Sequence, residues 1–188
     1  MDMQGKRAAI LVEQQYQEME VWYPIYRLRE AGCKVTLVGP EAQTNYPSKL
    51  GYPCKSDRAA RDVSANDFDL LVIPGGYAPD HMRRCEAMIR LTSTMAEQGK
   101  IVAAICHAGW MLASANIVRG KTATSYRSIK DDMVNAGAVW VDREVVRDDN
   151  LVTSRTPADL PAFMRTIITA LRERRTSDRL EREVALIS

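Results

Sequence analysis

The chain has 188 residues, 46% of them hydrophobic, and its 26 basic and 24 acidic side chains give a formal net charge of +2. That length and composition suit one domain with a core large enough to fold without disulfides. The balance of charge argues against a nucleic-acid-binding protein, which gathers a basic excess on one face. No apolar run is long enough to span a membrane. The first residues lack the pattern of a secretory signal peptide, so a cytoplasmic location is expected.

The first half of the chain alternates short apolar runs with helical patterns. Four runs predict buried strands at residues 8–12, 34–38, 69–73 and 101–105. Helical spacing predicts helices at 18–31, about 80–98 and about 107–115, whereas the Pro- and Gly-rich stretch 39–53 predicts a loop. Strands that alternate with helices in this way predict an α/β fold, with a largely parallel central sheet and helices on both faces.

The second half has shorter β-like pieces, at residues 121–124, 139–141, 144–146 and 151–153, around a helix at about 128–136. A last helix is predicted to start near Pro157, because proline is tolerated in a first turn. The pattern predicts one domain over residues 1–172, followed by a charged helix or tail at 173–188. An alternative for the tail is an oligomer contact through Val184, Leu186 and Ile187.

Cysteine and histidine are too sparse for a metal site. No two cysteines form a CxxC pair, and the chain has only two histidines. A zinc site is therefore not expected, and in a reducing compartment the cysteines should be free thiols. The phosphate-binding and dinucleotide-binding glycine motifs are also missing. We expect neither a metal nor a cofactor.

Cys106 is the candidate nucleophile. The predicted strand 101–105 runs straight into Cys106, and a helix with the small residues Ala108 and Gly109 follows at once. Such a junction can hold a side chain in a strained, exposed position at the sheet edge where ligands bind. Free N–H groups and the helix dipole would stabilise a thiolate there. The alternative is a buried structural cysteine, which is common.

Gly75 and Gly76 end the neighbouring predicted strand at the same edge of the sheet. Two glycines allow backbone N–H groups to approach a substrate closely. One of these N–H groups could join that of His107 in an oxyanion hole. The alternative is a tight turn with no binding role.

These motifs together resemble a known family. The segments that carry the resemblance are AICHAGW, IPGGYAPD, SYRSIKDDMVNAGAVWVD and TSRTPADLPAFM, and the likeness runs from about Lys6 to Leu171. The chain resembles the ThiJ/PfpI family, and within it the PfpI branch of intracellular cysteine peptidases or protein deglycases. The resemblance implies a flavodoxin-like three-layer sandwich, similar to class I glutamine amidotransferases, with the nucleophile at the position of Cys106.

The resemblance also implies further site residues. Glu20 matches a first-helix glutamate that hydrogen-bonds the cysteine sulfur and tunes its reactivity. His107 matches a histidine paired with an acid of a neighbouring subunit, here Asp80, where relatives carry the longer glutamate. Adjacent helical residues point in different directions, so His107 is expected to orient poorly toward its own Cys106 thiol. Tyr126 matches a pocket tyrosine that holds a substrate or simply packs.

The resemblance favours an enzyme that acts on small reactive carbonyls or on glycated proteins, with glyoxalase or deglycase chemistry. An intracellular cysteine peptidase or amidohydrolase is the alternative reaction. A non-enzymatic stress protein or chaperone, which would use oxidation of Cys106, is the alternative of another class. The resemblance further implies a homo-oligomer, either a dimer or a hexamer, whose active site lies between subunits if Asp80 takes part. No nucleic-acid or membrane partner is expected.

Overall fold

The computed structural model describes the backbone of residues 3–185 and the side chains of residues 3–174. Within this part, the strands are β1 (Arg7–Leu11), β2 (Lys34–Gly39), β3 (Asn45–Pro47), β4 (Pro53–Lys55), β5 (Arg58–Ala59), β6 (Leu70–Ile73), β7 (Ile101–Ile105), β8 (Thr122–Ala123), β9 (Val139–Trp140), β10 (Val145–Asp148) and β11 (Leu151–Ser154). The helices are α1 (Glu18–Glu30), α2 (Ala78–Met82), α3 (Glu86–Glu97), α4 (Gly109–Ser114), α5 (Lys130–Asn135) and α6 (Leu160–Ala185).

The central sheet has seven strands in the order β10-β11-β7-β6-β1-β2-β5. All neighbours are parallel except β10 and β11, which pair antiparallel. The order β2-β1-β6-β7-β11 is that of a flavodoxin-like sheet. Such sheets bind ligands at the carboxyl edge, where the strand order reverses, here around β1 and β6.

Helices cover both faces of the sheet. On one face α1 and α6 contact each other, while α3 and α4 pack together against β7 on the other. Strands β6 and β7 are buried along their whole length, which is why they read as unbroken apolar runs. The predicted flavodoxin-like sandwich with a largely parallel sheet is confirmed.

Two stretches differ from the sequence-based expectation. The helix predicted at 80–98 is two helices, α2 and α3, because Cys85 takes an extended conformation between them. The loop predicted at 39–53 contains β3, whose antiparallel pairing with β4 forms a hairpin. Propensity gave no sign of this hairpin, which carries residues 48–52 toward the carboxyl edge of β1 through a bridge between Tyr16 and Ser48.

The α6 helix continues through the stretch predicted as a charged helix or tail, as far as Ala185. The alternative oligomer contact through Val184, Leu186 and Ile187 lies outside the described side chains. No helix of the described part has both the length and the apolar character needed to cross a membrane.

Candidate active site

Cys106 sits on a sharp turn at the end of β7. Its φ is +63°, a left-handed conformation that costs a non-glycine residue about 1–3 kcal/mol. The turn continues as a short 3-10 segment, Cys106–Ala108, so the α-helix begins only at Gly109. The Cys106 carbonyl is held by the N–H of Tyr126 at 3.1 Å. The strained turn predicted for this junction is therefore present.

Gly75 packs directly against this turn. A Cβ atom at Gly75 would lie 2.6 Å from the Cys106 Cβ, 2.7 Å from the Glu20 Oε2 and 2.9 Å from the His107 nitrogen. The lack of a side chain is what lets the end of β6 approach the other site residues so closely. The strand register brings Gly75 and Cys106 together, since Ile73 of β6 is paired with Ala104 of β7 and each of the two residues lies two positions after its member of that pair.

Gly76 has two reasons to be glycine. Its φ is +73°, and a Cβ there would lie 2.5 Å from the Gln15 carbonyl oxygen and 2.6 Å from the Gln17 nitrogen. The backbone N–H groups of Gly76 and His107 act on the Cys106 thiol and lower its pKa. A role for these two N–H groups as an oxyanion hole stays a prediction.

Glu20 is completely buried in the first turn of α1. Its Oε2 accepts a hydrogen bond of 2.7 Å from the N–H of Gly75. Its Oε1 has no hydrogen-bond partner among the described residues, which is rare for a buried oxygen and costly if the group is ionised. The carboxyl group interacts with the Cys106 thiol, so the structure brings together the two residues that the resemblance pairs.

Burial controls the protonation of this pair. It raises the pKa of Glu20 to about 7, against the hydrogen bond from Gly75, which lowers it. The pKa of Cys106 is raised to about 12, mainly by burial and next by the negative charge of Glu20. The N–H groups of Gly76 and His107 lower this pKa but do not offset the two larger effects. The direction is opposite to that of the stabilised thiolate expected from the helix terminus. The short 3-10 start of the helix supplies too little stabilisation to offset the loss of water.

We predict that replacing Glu20 with glutamine makes stability less dependent on pH. A carboxyl pKa raised from 4.5 to about 7 on folding stabilises the native state below about pH 4.5, and this contribution is lost as the pH rises to 7. Between about pH 4.5 and pH 7 the free energy of unfolding of the wild type should fall by about 3 kcal/mol relative to that of Glu20→Gln. Urea unfolding at about pH 5 and pH 8 measures the difference. Parallel losses in both proteins would show that Glu20 titrates normally.

His107 contacts its own cysteine, contrary to the expected poor orientation. Its Nδ1 lies 3.3 Å from the Cys106 Sγ, and its Nε2 lies 3.2 Å from the Ser128 Oγ. The positive φ of Cys106 explains this, because the two residues do not follow each other on an α-helix. Burial lowers the pKa of His107, which favours the neutral ring. Ser128 was missed by sequence reasoning, since a serine in a turn gives no signal of what it contacts.

Asp80 is not joined to His107 within the described part of the chain. It is half-buried in α2, and both ring nitrogens of His107 have other partners, Cys106 and Ser128. Asp80 as a partner of His107 across a subunit interface therefore stays a prediction.

Aromatic side chains form one border of the site. The Tyr126 ring stacks on His107 with centroids 4.8 Å apart, and the Trp110 ring lies 5.1 Å from His107, tilted by 60°. Tyr77 meets Trp110 edge-on at 6.1 Å. Tyr126 is 40% exposed and stacks on His107, and whether it also holds a substrate stays a prediction.

Cys106, Glu20 and His107 open into one cavity of about 640 Å³, large enough for a small carbonyl compound or a modified side chain. It is lined by Gln15, Gln17, Glu20, Lys49, Gly76, Tyr77, Cys106, His107, Tyr126 and Pro157. Sequence reasoning missed Gln15, Gln17, Lys49 and Pro157, which come from loops after β1, in the β3–β4 hairpin and before α6. Among the described residues no group of three His, Cys, Asp or Glu side chains could hold a metal ion.

Comparison with known proteins places this geometry in a family. Residues 6–170 match the model of the DJ-1/PfpI family. A protein of Pyrococcus abyssi named as a deglycase is 44% identical over 88% of this chain and 99% of its own length. The structure of Drosophila melanogaster DJ-1beta is 30% identical, with a TM-score of 0.84 over 96% of this chain and 97% of that one.

A second solved structure is a two-domain protein of Anabaena variabilis with a DJ-1/ThiJ/PfpI-like and a ferritin-like domain. It is 41% identical with a TM-score of 0.87 over 88% of this chain. Our chain spans only 48% of that protein, about half of its length.

Proposed function

The chain belongs to the DJ-1/PfpI family, and from that premise we propose that it is an enzyme that removes small reactive carbonyls, free or attached to proteins, with Cys106 as its nucleophile. The observation that carries the proposal is the meeting of Cys106, Glu20 and His107 in one cavity. The deglycase name of the Pyrococcus abyssi relative supports the class of reaction.

Attack on an aldehyde would begin with the protonated thiol. The raised pKa keeps the proton on Cys106 until a substrate arrives, and the neutral His107 offers its Nδ1 at 3.3 Å as the acceptor. The sulfur bonds to the carbonyl carbon as the thiol proton moves to His107. Ser128 keeps the other ring nitrogen, Nε2, occupied as a donor.

Glu20 would supply the second proton. With a pKa of about 7 it is protonated in a large fraction of molecules at neutral pH, and it can donate to the new alkoxide to complete a thiohemiacetal. The N–H groups of Gly76 and His107, which act on the Cys106 thiol in the free protein, would stabilise the developing charge.

The bond to sulfur would then be released by hydrolysis. For methylglyoxal, Glu20 as carboxylate removes the proton from the former aldehyde carbon and returns it to the neighbouring carbon. The hydroxyl proton passes from the oxygen of the former aldehyde to the oxygen of the neighbouring ketone, so the thiohemiacetal becomes the thioester of lactate. Water cleaves the thioester, the sulfur regains its proton, and the sum is methylglyoxal plus water to lactate. For a protein adduct, the protein's amine or thiol leaves with a proton when Cys106 takes over the carbonyl carbon.

Product analysis tests the proposal. Methylglyoxal, and a peptide modified by methylglyoxal, are incubated with the enzyme, and lactate and free peptide are followed by NMR and mass spectrometry. We expect lactate from both and an intact peptide chain. Cleavage of peptide bonds would favour the peptidase, and one oxidation of Cys106 without lactate would favour the redox-sensing protein.

A mixing experiment tests whether Asp80 completes the site of a neighbouring subunit. If it does, Asp80→Asn and Cys106→Ala are each inactive, but a mixed dimer contains one site with both native residues. Equal mixing with subunit exchange should restore about a quarter of wild-type activity. Asp80→Asn with full activity, or an inactive mixture whose exchange is verified by native mass spectrometry, would remove Asp80 from the site.

A further inference from the structure

Lys49 brings a positive charge to the wall of the cavity. It lies between the paired strands of the β3–β4 hairpin, and its N–H donates to the Tyr16 carbonyl at 3.0 Å. Lys49 lines the cavity, and its charge acts on Glu20 and on Glu18 and lowers the pKa of both carboxyls. No carboxylate of the described residues forms an ion pair with Lys49.

Gln17 adds a hydrogen-bond donor to the same wall. It caps α1, and its Oε1 accepts the N–H of Glu20 at 3.1 Å. That contact fixes which way the amide is turned, because a backbone N–H requires an oxygen. The NH₂ group of Gln17 is therefore the part of the amide left for a ligand.

Gln15 is turned by a similar constraint. Arg84 can only donate, so the His81 Nδ1 that it contacts at 2.6 Å must be unprotonated. The His81 proton then sits on Nε2 and is donated to the Gln15 Oε1 at 3.2 Å. The oxygen of Gln15 is used, and its NH₂ group is left for the cavity. The backbone of Gln15 has a left-handed conformation, with φ +62°, and its N–H donates to the Pro47 carbonyl at 2.7 Å.

We propose that Lys49, Gln15 and Gln17 form a carboxylate-binding wall, so that the cavity prefers carbonyl compounds that carry a carboxylate over neutral ones of the same size. An ammonium and two amide NH₂ groups match the acceptor-only carboxylate group. Among the residues that the structure describes, the only acid that lines the cavity is Glu20, which is buried beside Cys106. This inference rests on the proposed function only in taking Cys106 as the reactive group.

Two alkylating reagents can measure the preference for a carboxylate without requiring any catalytic turnover. Iodoacetate and iodoacetamide have nearly the same shape, and with either one the Cys106 thiolate displaces iodide and forms a carbon–sulfur bond. They differ in carrying a carboxylate or a neutral amide. Because both react with the same thiolate, the ratio of their rates does not depend on the pKa of Cys106 or on the fraction ionised. Peptide mass spectrometry follows Cys106 separately from the other thiols.

In the wild type, the iodoacetate-to-iodoacetamide ratio should exceed that of N-acetylcysteine by about tenfold, which corresponds to a charge-assisted contact of about 1.4 kcal/mol. Lys49→Met should lower the ratio by about fivefold, and added salt should do the same in the wild type. Gln17→Glu should also lower it, because glutamate keeps the oxygen that caps α1 but replaces the NH₂ group with an anionic oxygen.

Lys55→Met is the matched control, since Lys55 is an exposed lysine on β4 that does not line the cavity. An equal ratio in Lys49→Met and Lys55→Met would overturn the proposal. If Cys106 resists both reagents, NMR can compare how tightly the Cys106→Ala variant binds pyruvate, which carries a carboxylate, and pyruvamide, which does not. Equal affinity for the two compounds would overturn the proposal. Inactivity toward methylglyoxal with an intact alkylation preference would instead reject the proposed function alone.

Discussion

Replacing Cys106 with alanine should lower kcat for methylglyoxal by at least about 10³-fold, because no other group of the site can form the carbon–sulfur bond. Glu20, His107 and the backbone donors stay in place in this variant, so what is lost is the covalent step. Alanine accepts the left-handed turn about as poorly as cysteine, and the fold should be unchanged. Steady-state lactate formation and circular dichroism, measured on one preparation, check both statements.

Cys85→Ala is the matched control. Cys85 is partly exposed and does not line the cavity, so its removal should leave kcat within about twofold of the wild type. Retention of more than about a tenth of the wild-type kcat by Cys106→Ala would mean that the reaction does not pass through this sulfur.

Replacing Gly76 with alanine should destabilise the protein by about 3–4 kcal/mol. Alanine at φ +73° costs about 1–2 kcal/mol, and the added Cβ would press on backbone atoms of Gln15, Tyr16 and Gln17 at 2.5–2.8 Å. Backbone cannot yield as a flexible side chain would, so the turn itself must move. Activity should fall as well, because the same turn carries one of the two N–H groups that act on the Cys106 thiol.

Gly120→Ala separates the clash from the backbone strain. Gly120 has φ +75°, close to that of Gly76, but nothing lies within 4 Å of its Cβ position. The two substitutions also change the unfolded chain in the same way. Urea unfolding should therefore show that Gly120→Ala lowers the free energy of unfolding by about 1 kcal/mol. Gly76→Ala should lower it by about 2–3 kcal/mol more. Equal losses in the two variants would show that the contact at Gly76 relaxes without cost.

The parallel sheet and the placing of Cys106 and Gly75 could be predicted because they depend on local patterns. Each apolar run ends at a residue that breaks it, and parallel strands bring those ends to one edge. The β3–β4 hairpin could not be predicted, because its strands are three residues each and their pairing depends on contacts with the rest of the fold.

The protonation state of Cys106 also could not be predicted from the sequence. A cysteine before a helix predicts a stabilised thiolate, but the pKa of Cys106 depends on how deeply it is buried and on the charge of Glu20. The contact between His107 and Cys106 was predicted wrongly, since it follows from the positive φ of the turn. Lys49 and Ser128 reach the site from distant loops, and only the tertiary structure shows them there.

The most direct test of Cys106 as a catalytic nucleophile is the number of methylglyoxal molecules that each chain consumes. With a large excess of methylglyoxal and no reductant, the wild type should form lactate far beyond one molecule per Cys106, at a steady rate, while Cys106→Ala forms none. Consumption that stops at one molecule per chain, with Cys106 left modified, would contradict the account and make the protein a stoichiometric scavenger or sensor.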